Sequence, residues 1–365
     1  MLRKFRSREA TDARDKVFAL VGLMGYQKPI RPDYDLSLAK VYTASTVALI
    51  KSTNSLCALT GTIKGTTKLS APSWVTDWSA TPPPNEYDRL SRLQLYQASD
   101  GLTAHVTLHS SSILEVRGYL LGVVEACGPE LPYGQVERLR ATVTQWQSNI
   151  ALDRNRGHAY TAGGTLEEAF WRTLCADTLP TDTLQEDNIN RMHCEYQRAD
   201  SYGLNCYSVW QARPQNNNRM TSMYGRITMR PANEAPKNNE TRNRFHHAIE
   251  SANGHRKFFV TRGGYIGTGP PSLQIGDRIF VVAGSRVPFI LRRSRLNDAR
   301  PPCLPGETTV LIPGPTLDIQ DVTCGRPYAP AYELVGDAYV HGIMDGEVVE
   351  QARALHRAPL RLFLV

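Results

Sequence analysis

No stretch of this sequence approaches the roughly 20 consecutive apolar residues that a membrane-spanning helix requires, so no membrane span is expected. The basic N-terminus has no apolar segment behind it, which predicts no secretory signal and an intracellular, cytoplasmic setting. Seven cysteines, an odd number without a Cys-x-x-Cys pair, argue against a disulfide framework and against a zinc site; reduced thiols are expected. There is no Gly-x-Ser-x-Gly elbow and no self-evident Cys–His arrangement. His246, His247, Glu250 and His255 lie close in sequence but without His-Glu-x-x-His spacing, and read as solvated loop histidines. The glycines between Gly263 and Gly269 invite a phosphate-loop reading. Pro270 and Pro271 stand where the helix should begin, so that reading is rejected. The net charge of +7 comes from scattered arginines without interleaved aromatics, and no nucleic-acid partner is expected. These absences predict neither cofactor nor metal.

What is present is a β pattern. Between Lys257 and Glu347, short β-branched and aromatic runs (Phe258–Thr261, Arg278–Val282, Val287–Leu291, Tyr332–Ile343) alternate with Gly-rich turns, the mark of an antiparallel barrel or sandwich. Runs such as Ile279-Phe280-Val281-Val282 predict strands buried on both faces. Upstream the periodicity is helical. Asp12 caps a first helix with Val17, Leu20 and Val21 on one face, and residues 37–52 form a second, with Leu38, Val41, Tyr42 and Leu49 inward. Residues 135–152 carry Leu139, Val143 and Trp146 at helical spacing, and Thr165 with Glu168 makes a capping box. Trp74 and Trp78, with Asp77 between them, read as core anchors. The fold class is therefore α+β, with N-terminal and central helices packed on a C-terminal antiparallel sheet. Three regions are expected: a mainly helical 1–100, a mixed 101–256 with a long mobile polar loop at 211–244, and an antiparallel β region at 257–365. A second irregular segment is expected from Asn297 to Pro330.

One polar cluster stands out. Tyr339 and His341, two residues apart, project from one strand face. Asp345 follows at the turn, where it can orient the imidazole, and Glu347 comes next. Tyr265, with Arg286 or Arg292 from a neighbouring hairpin, is expected to approach them. Whether the cluster is a site or only closes the barrel stays open.

Several stretches resemble the fungal heterokaryon-incompatibility (HET-domain) family. TDARDKVFALVGL, RPDY and APSWVTDWS are similar to the closing motifs of the HET domain. GYIGTGPPSLQIGDR, VPFILR and YELVGDAYVHGIMDGE are similar to the family's C-terminal region. Motifs that normally open the HET domain are not found, so the resemblance covers its closing part and the β region. The HET domain looks related to the Toll/interleukin-receptor nucleotidase fold, and the resemblance places any nucleotide-cleaving role in the half not seen.

Two functions follow from it. One is a cofactor-independent cyclase of secondary metabolism, similar to norbornene-forming enzymes, that performs an intramolecular Diels–Alder [4+2] cycloaddition. Such an enzyme holds a small apolar substrate in a near-attack geometry and polarises a carbonyl by hydrogen bonds. Its catalytic residues would be His341 and Tyr339 as donors and Asp345 as orienter. Tyr265, Arg286 and Arg292 would bind the substrate, an acidic terpenoid suiting the basic balance. The alternative is a non-enzymatic protein of nonself recognition and programmed cell death.

Overall fold

The computed structural model describes residues 2–21, 30–61, 69–109, 112–186, 192–212, 238–294 and 330–365. The strands, in chain order, are β1 Thr107–His109, β2 Ile113–Glu130, β3 Thr178–Glu186, β4 Met192–Arg198, β5 Lys257–Thr261 and β6 Ile266–Gly269, then β7 Arg278–Val282, β8 Phe289–Arg293, β9 Ala331–Asp337, β10 Tyr339–Val340 and β11 Leu360–Leu364. The helices are α1 Leu2–Phe5, α2 Asp15–Val21, α3 Leu38–Thr53, α4 Glu86–Ser91, α5 Val136–Asn149, α6 Leu152–Asn155, α7 Leu166–Leu174, α8 Ser201–Gln211, α9 Asn238–Asn253 and α10 Glu347–Ala354.

Strand β2 organises the sheet, because its 18 residues serve four different partners, the short β1 (Thr107–His109 opposite Ile113–Glu115) and three longer strands. Leu114–Gly118 pair with β11, Gly118–Val123 with β7, and Val124–Glu130 with β5, all antiparallel. Register shifts after Leu120 and Val124 bend the strand from one set of partners to the next. Beyond β5 lie β6 and β10. On the other side β11 pairs with β9, β9 with β8 and β8 with β7, and β7 returns to β2. The β11–β9 pair is parallel; every other pairing in the sheet is antiparallel. Strands β3 and β4 form a separate hairpin sheet.

Each helical segment covers a different part of this sheet. Val17, Leu20, Val41, Tyr42, Trp74 and Trp78 pack with Val116, Phe280, Phe289 and Leu362. Leu139, Val143, Trp146, Phe170, Phe245 and Ile249, from α5, α7 and α9, pack on Phe258 and Ile266. Phe258 sits at the centre of that layer, stacked on Trp146 at 5.6 Å and edge-on to Phe170 at 5.8 Å. The cap half of the expected capping box forms, with the Thr165 hydroxyl accepting from Glu168 N at 3.2 Å, while the Glu168 carboxylate accepts from Arg172 at 3.0 Å. The N-terminal motifs hold one another: the Tyr34 hydroxyl donates to Asp15 at 2.6 Å, and Arg14 pairs with Asp12 at 2.7 Å while donating to the Leu36 carbonyl.

Several expectations change. Of the expected 211–244 loop, residues 213–237 lie outside the described residues, whereas 238–244 are helical, the first turns of α9. Phe245, Ala248, Ile249 and Ala252, three and four residues apart and all buried, carry the helix. The same helix buries His246, 6% exposed, so the reading of solvated loop histidines is corrected. The Gly-rich stretch read as a turn contains a strand, β6. Residues 295–329, most of the second irregular segment, lie outside the described residues. Strand β2, in the expected middle region, pairs with strands of the expected C-terminal region.

Candidate functional site

The Tyr339–His341 segment leaves β9 and forms the edge of the sheet. Tyr339 lies opposite Thr268 on β6, and Val340 opposite Gly267. Gly267 allows that approach: a Cβ there would stand 2.2 Å from the Tyr339 carbonyl oxygen. Gly342, in the left-handed region at φ 75°, then turns the chain.

The two predicted donors meet. The Tyr339 hydroxyl lies 3.3 Å from His341 Nδ1. Burial raises the Tyr339 phenol well above its ordinary value and lowers the imidazole to about 4, Arg172 adding to that lowering. Near neutral pH the phenol therefore donates and the uncharged imidazole accepts. Tyr160 completes the group. Its hydroxyl donates to the His341 carbonyl at 3.2 Å and accepts from Ile266 N at 3.0 Å, and its ring lies 5.4 Å from the imidazole. Tyr265 reaches the group through Tyr160, edge-on at 6.3 Å.

A charged network borders this group. Asp177 binds Arg172 at 2.5 Å and Arg198 at 3.1 Å; Arg172 also binds Glu168 at 3.0 Å, and Arg198 also binds Asp345. Arg198 lies over the Tyr96 ring at 4.8 Å, and the Tyr96 hydroxyl donates to the Ala176 carbonyl at 2.6 Å. Ala176 and Asp177 are both left-handed, at φ 51° and 53°, a conformation costly for residues with a Cβ. Arg172, Arg198 and Tyr96 hold that turn in place.

The structure thus brings Tyr339, His341 and Tyr265 into one neighbourhood, sets Asp345 and Arg286 at its border and places Arg292 elsewhere. Asp345 is not on the imidazole; it pairs with Arg198, and its backbone N–H donates to Glu347 at 2.8 Å. Burial raises the Asp345 carboxyl while Arg198 opposes. Arg292 grips Asp277 with two bonds of 2.8 and 2.9 Å, and Arg286 donates to the carbonyls of Gln94 and Tyr96, each at 3.2 Å. Sequence reasoning missed Tyr160, Tyr96, Asp177 and Arg198. The Glu168–Arg172 pair, four residues apart on α7, was the one legible pointer to the network.

Chemically, the arrangement offers phenol donors and a neutral imidazole that relay hydrogen bonds between β10, β6 and the segment before α7. Among the described residues no group of three or more His, Cys, Asp or Glu is placed to hold a metal ion, and no helix is long and apolar enough to cross a membrane.

A mostly antiparallel sheet, wound around one long strand and covered by helices, defines an α+β protein with a β module at its centre. Residues 111–301 match the model of the Het-6 beta-barrel domain, just over half of the chain, and the chain belongs to that family. Over 94% of its length it is also 24% identical to heterokaryon incompatibility protein 6, OR allele, of Neurospora crassa. It spans about half the length of that relative. No solved structure matches.

Proposed function

We propose that this chain is a recognition module of heterokaryon incompatibility, the process named in its Neurospora relative. We further propose that its ring of strands β2, β11, β9, β8 and β7 closes as a small barrel. The observation that carries the reading is the likeness along 94% of the chain, which takes in the N-terminal helices as well as the β region. The return of the strand pairing to β2 supports the barrel. The pairing of Asp345, Arg286 and Arg292 with groups of the protein itself supports a module that presents a shaped surface, since these side chains are already engaged.

A second reading, the cofactor-independent cyclase, is favoured by one observation, the Tyr339–His341 hydrogen bond. It assigns the polarising donor to that pair and the substrate contact to Tyr265. One experiment separates the two. The gene is deleted in its source strain, the strain is paired with incompatible partners, and metabolites are compared by mass spectrometry in the same cultures. Loss of the incompatibility reaction with unchanged metabolites supports recognition. An isomer of identical mass accumulating in place of a lost compound, with incompatibility unchanged, overturns it in favour of the cyclase.

A further inference from the structure

The tryptophan-rich stretch at 74–78 does more than fill the core. Trp74 and Trp78 are both buried, yet their indole N–H groups differ. Trp74 donates to the Ser112 carbonyl at 3.1 Å, whereas Trp78 Nε1 has no hydrogen-bond partner among the described residues. Arg6 Nε and Asp77 Oδ2 share that condition. The three side chains are nearly sealed from solvent, with Arg6, Asp77 and Trp78 at 5%, 2% and 3% exposure.

These residues touch. The Arg6 guanidinium lies 5.8 Å from the Trp78 ring centroid and donates to the Asp77 carbonyl at 2.6 Å. Their other polar atoms are engaged: Arg6 also reaches Glu86 at 3.4 Å, and Asp77 Oδ1 accepts from Ser79 N at 3.0 Å and from the Ser79 hydroxyl. Buried polar groups in native proteins nearly always find a partner, and an unpaired one commonly marks a bound water or ion.

The unpaired set is specific. It presents two N–H donors and one carboxylate acceptor, so an occupant must accept two hydrogen bonds and donate one. An anion or a carbonyl has nothing to give Asp77, and a cation has nothing to accept from Arg6 and Trp78. A neutral hydroxyl-bearing molecule satisfies all three, and in so closed a setting water is the one that fits. We propose that Arg6 Nε, Asp77 Oδ2 and Trp78 Nε1 enclose a binding site for a single water molecule that joins the turn after α1 to the tryptophan segment.

The test uses the full chain, labelled with 15N, and reads dipolar transfer from water to the assigned tryptophan indole protons. Trp74 and Trp146 are internal controls, because their N–H groups donate to protein carbonyls. The expected result is a water cross peak at the Trp78 indole and none at the controls. A Trp78 indole indistinguishable from the controls overturns the site. A high-resolution crystal structure gives the second measurement: a water bonded to all three atoms supports the proposal, and Asp77 or Arg6 turned onto protein partners refutes it.

Discussion

Asp337, at the end of β9, is a buried carboxylate shared by two arginines, and its replacement by asparagine gives a measurable quantity. Its Oδ2 accepts from Arg89 at 2.6 Å and from Arg256 at 3.4 Å, and its Oδ1 from the Gly61 N–H at 2.8 Å. Burial pushes this carboxyl up, but Arg89 and Arg256 outweigh it and hold it at about 2, against 3.8 for the free group. That difference corresponds to stability on the order of 2 kcal/mol at neutral pH. Asp337→Asn keeps the shape but removes the countercharge from Arg256, itself 6% exposed and lowered by burial to about 10. Breaking a buried pair from one side costs about 3–5 kcal/mol. Urea unfolding followed by tryptophan fluorescence at pH 7 is expected to show a loss of that order. The sign with pH is fixed: a depressed folded-state pKa stabilises fully above the unfolded value and is lost as pH falls from about 4 to about 2. The gap between wild type and variant must therefore narrow across that window. A loss below about 1 kcal/mol at pH 7, or a gap constant down to pH 2.5, would refute the reasoning.

Other perturbations test the rest of the molecule. His246 and His341 are lowered by burial to about 4, so below pH 6.5 the unfolded chain takes up their protons first. Stability should fall from pH 6.5 to 4 by on the order of 3 kcal/mol for each, with His341→Gln flattening the curve in denaturant titrations. Phe258→Ala empties the space between Trp146 and Phe170 and should cost about 3–5 kcal/mol in thermal unfolding. Gly267→Ala drives a Cβ against the Tyr339 carbonyl, with an expected cost of about 1–3 kcal/mol and faster amide exchange at β10. Asp345→Asn breaks only an exposed ion pair and should change stability by less than about 1 kcal/mol, read in the same urea titrations.

What could be read from the chain follows from the range of the interactions. Helix α7 was legible because its start signal, Thr165 with Glu168, and its apolar face are local, and β7 because Ile279–Val282 is a continuous apolar run. Tyr339 and His341 were legible as a pair because alternate strand residues share a face. Asp345 was misassigned to the imidazole for the opposite reason: its partner, Arg198, lies on β4, 147 residues away, and no spacing rule connects them. Tyr160 was missed because it sits in a glycine-flanked segment without periodicity, positioned by a bond to β6. The several partners of β2 were equally hidden, since one long strand reads the same whether it has two partners or four.

These long-range interactions also bear on whether the N-terminal segment and the β module can be considered apart. Arg3 reaches Thr60, Arg6 reaches Glu86 and the Asp77 carbonyl, and Gly61 and Arg89 close on Asp337. Arg256, just before β5, joins the same carboxylate and donates to the Thr268 carbonyl on β6. Thr268 in turn faces Tyr339, so charges from α1, α4 and the sheet edge belong to one buried network that ends beside the candidate site. Such networks stabilise only when every member is satisfied, and removing any element strands a buried charge. An apolar side chain truncated at that junction would cost in proportion to the area it uncovers, whereas an arginine left alone there costs far more. The segment before the β module and the sheet edge thus share one carboxylate: Arg256 links Asp337 to the Thr268 carbonyl on β6, the strand that pairs with β10.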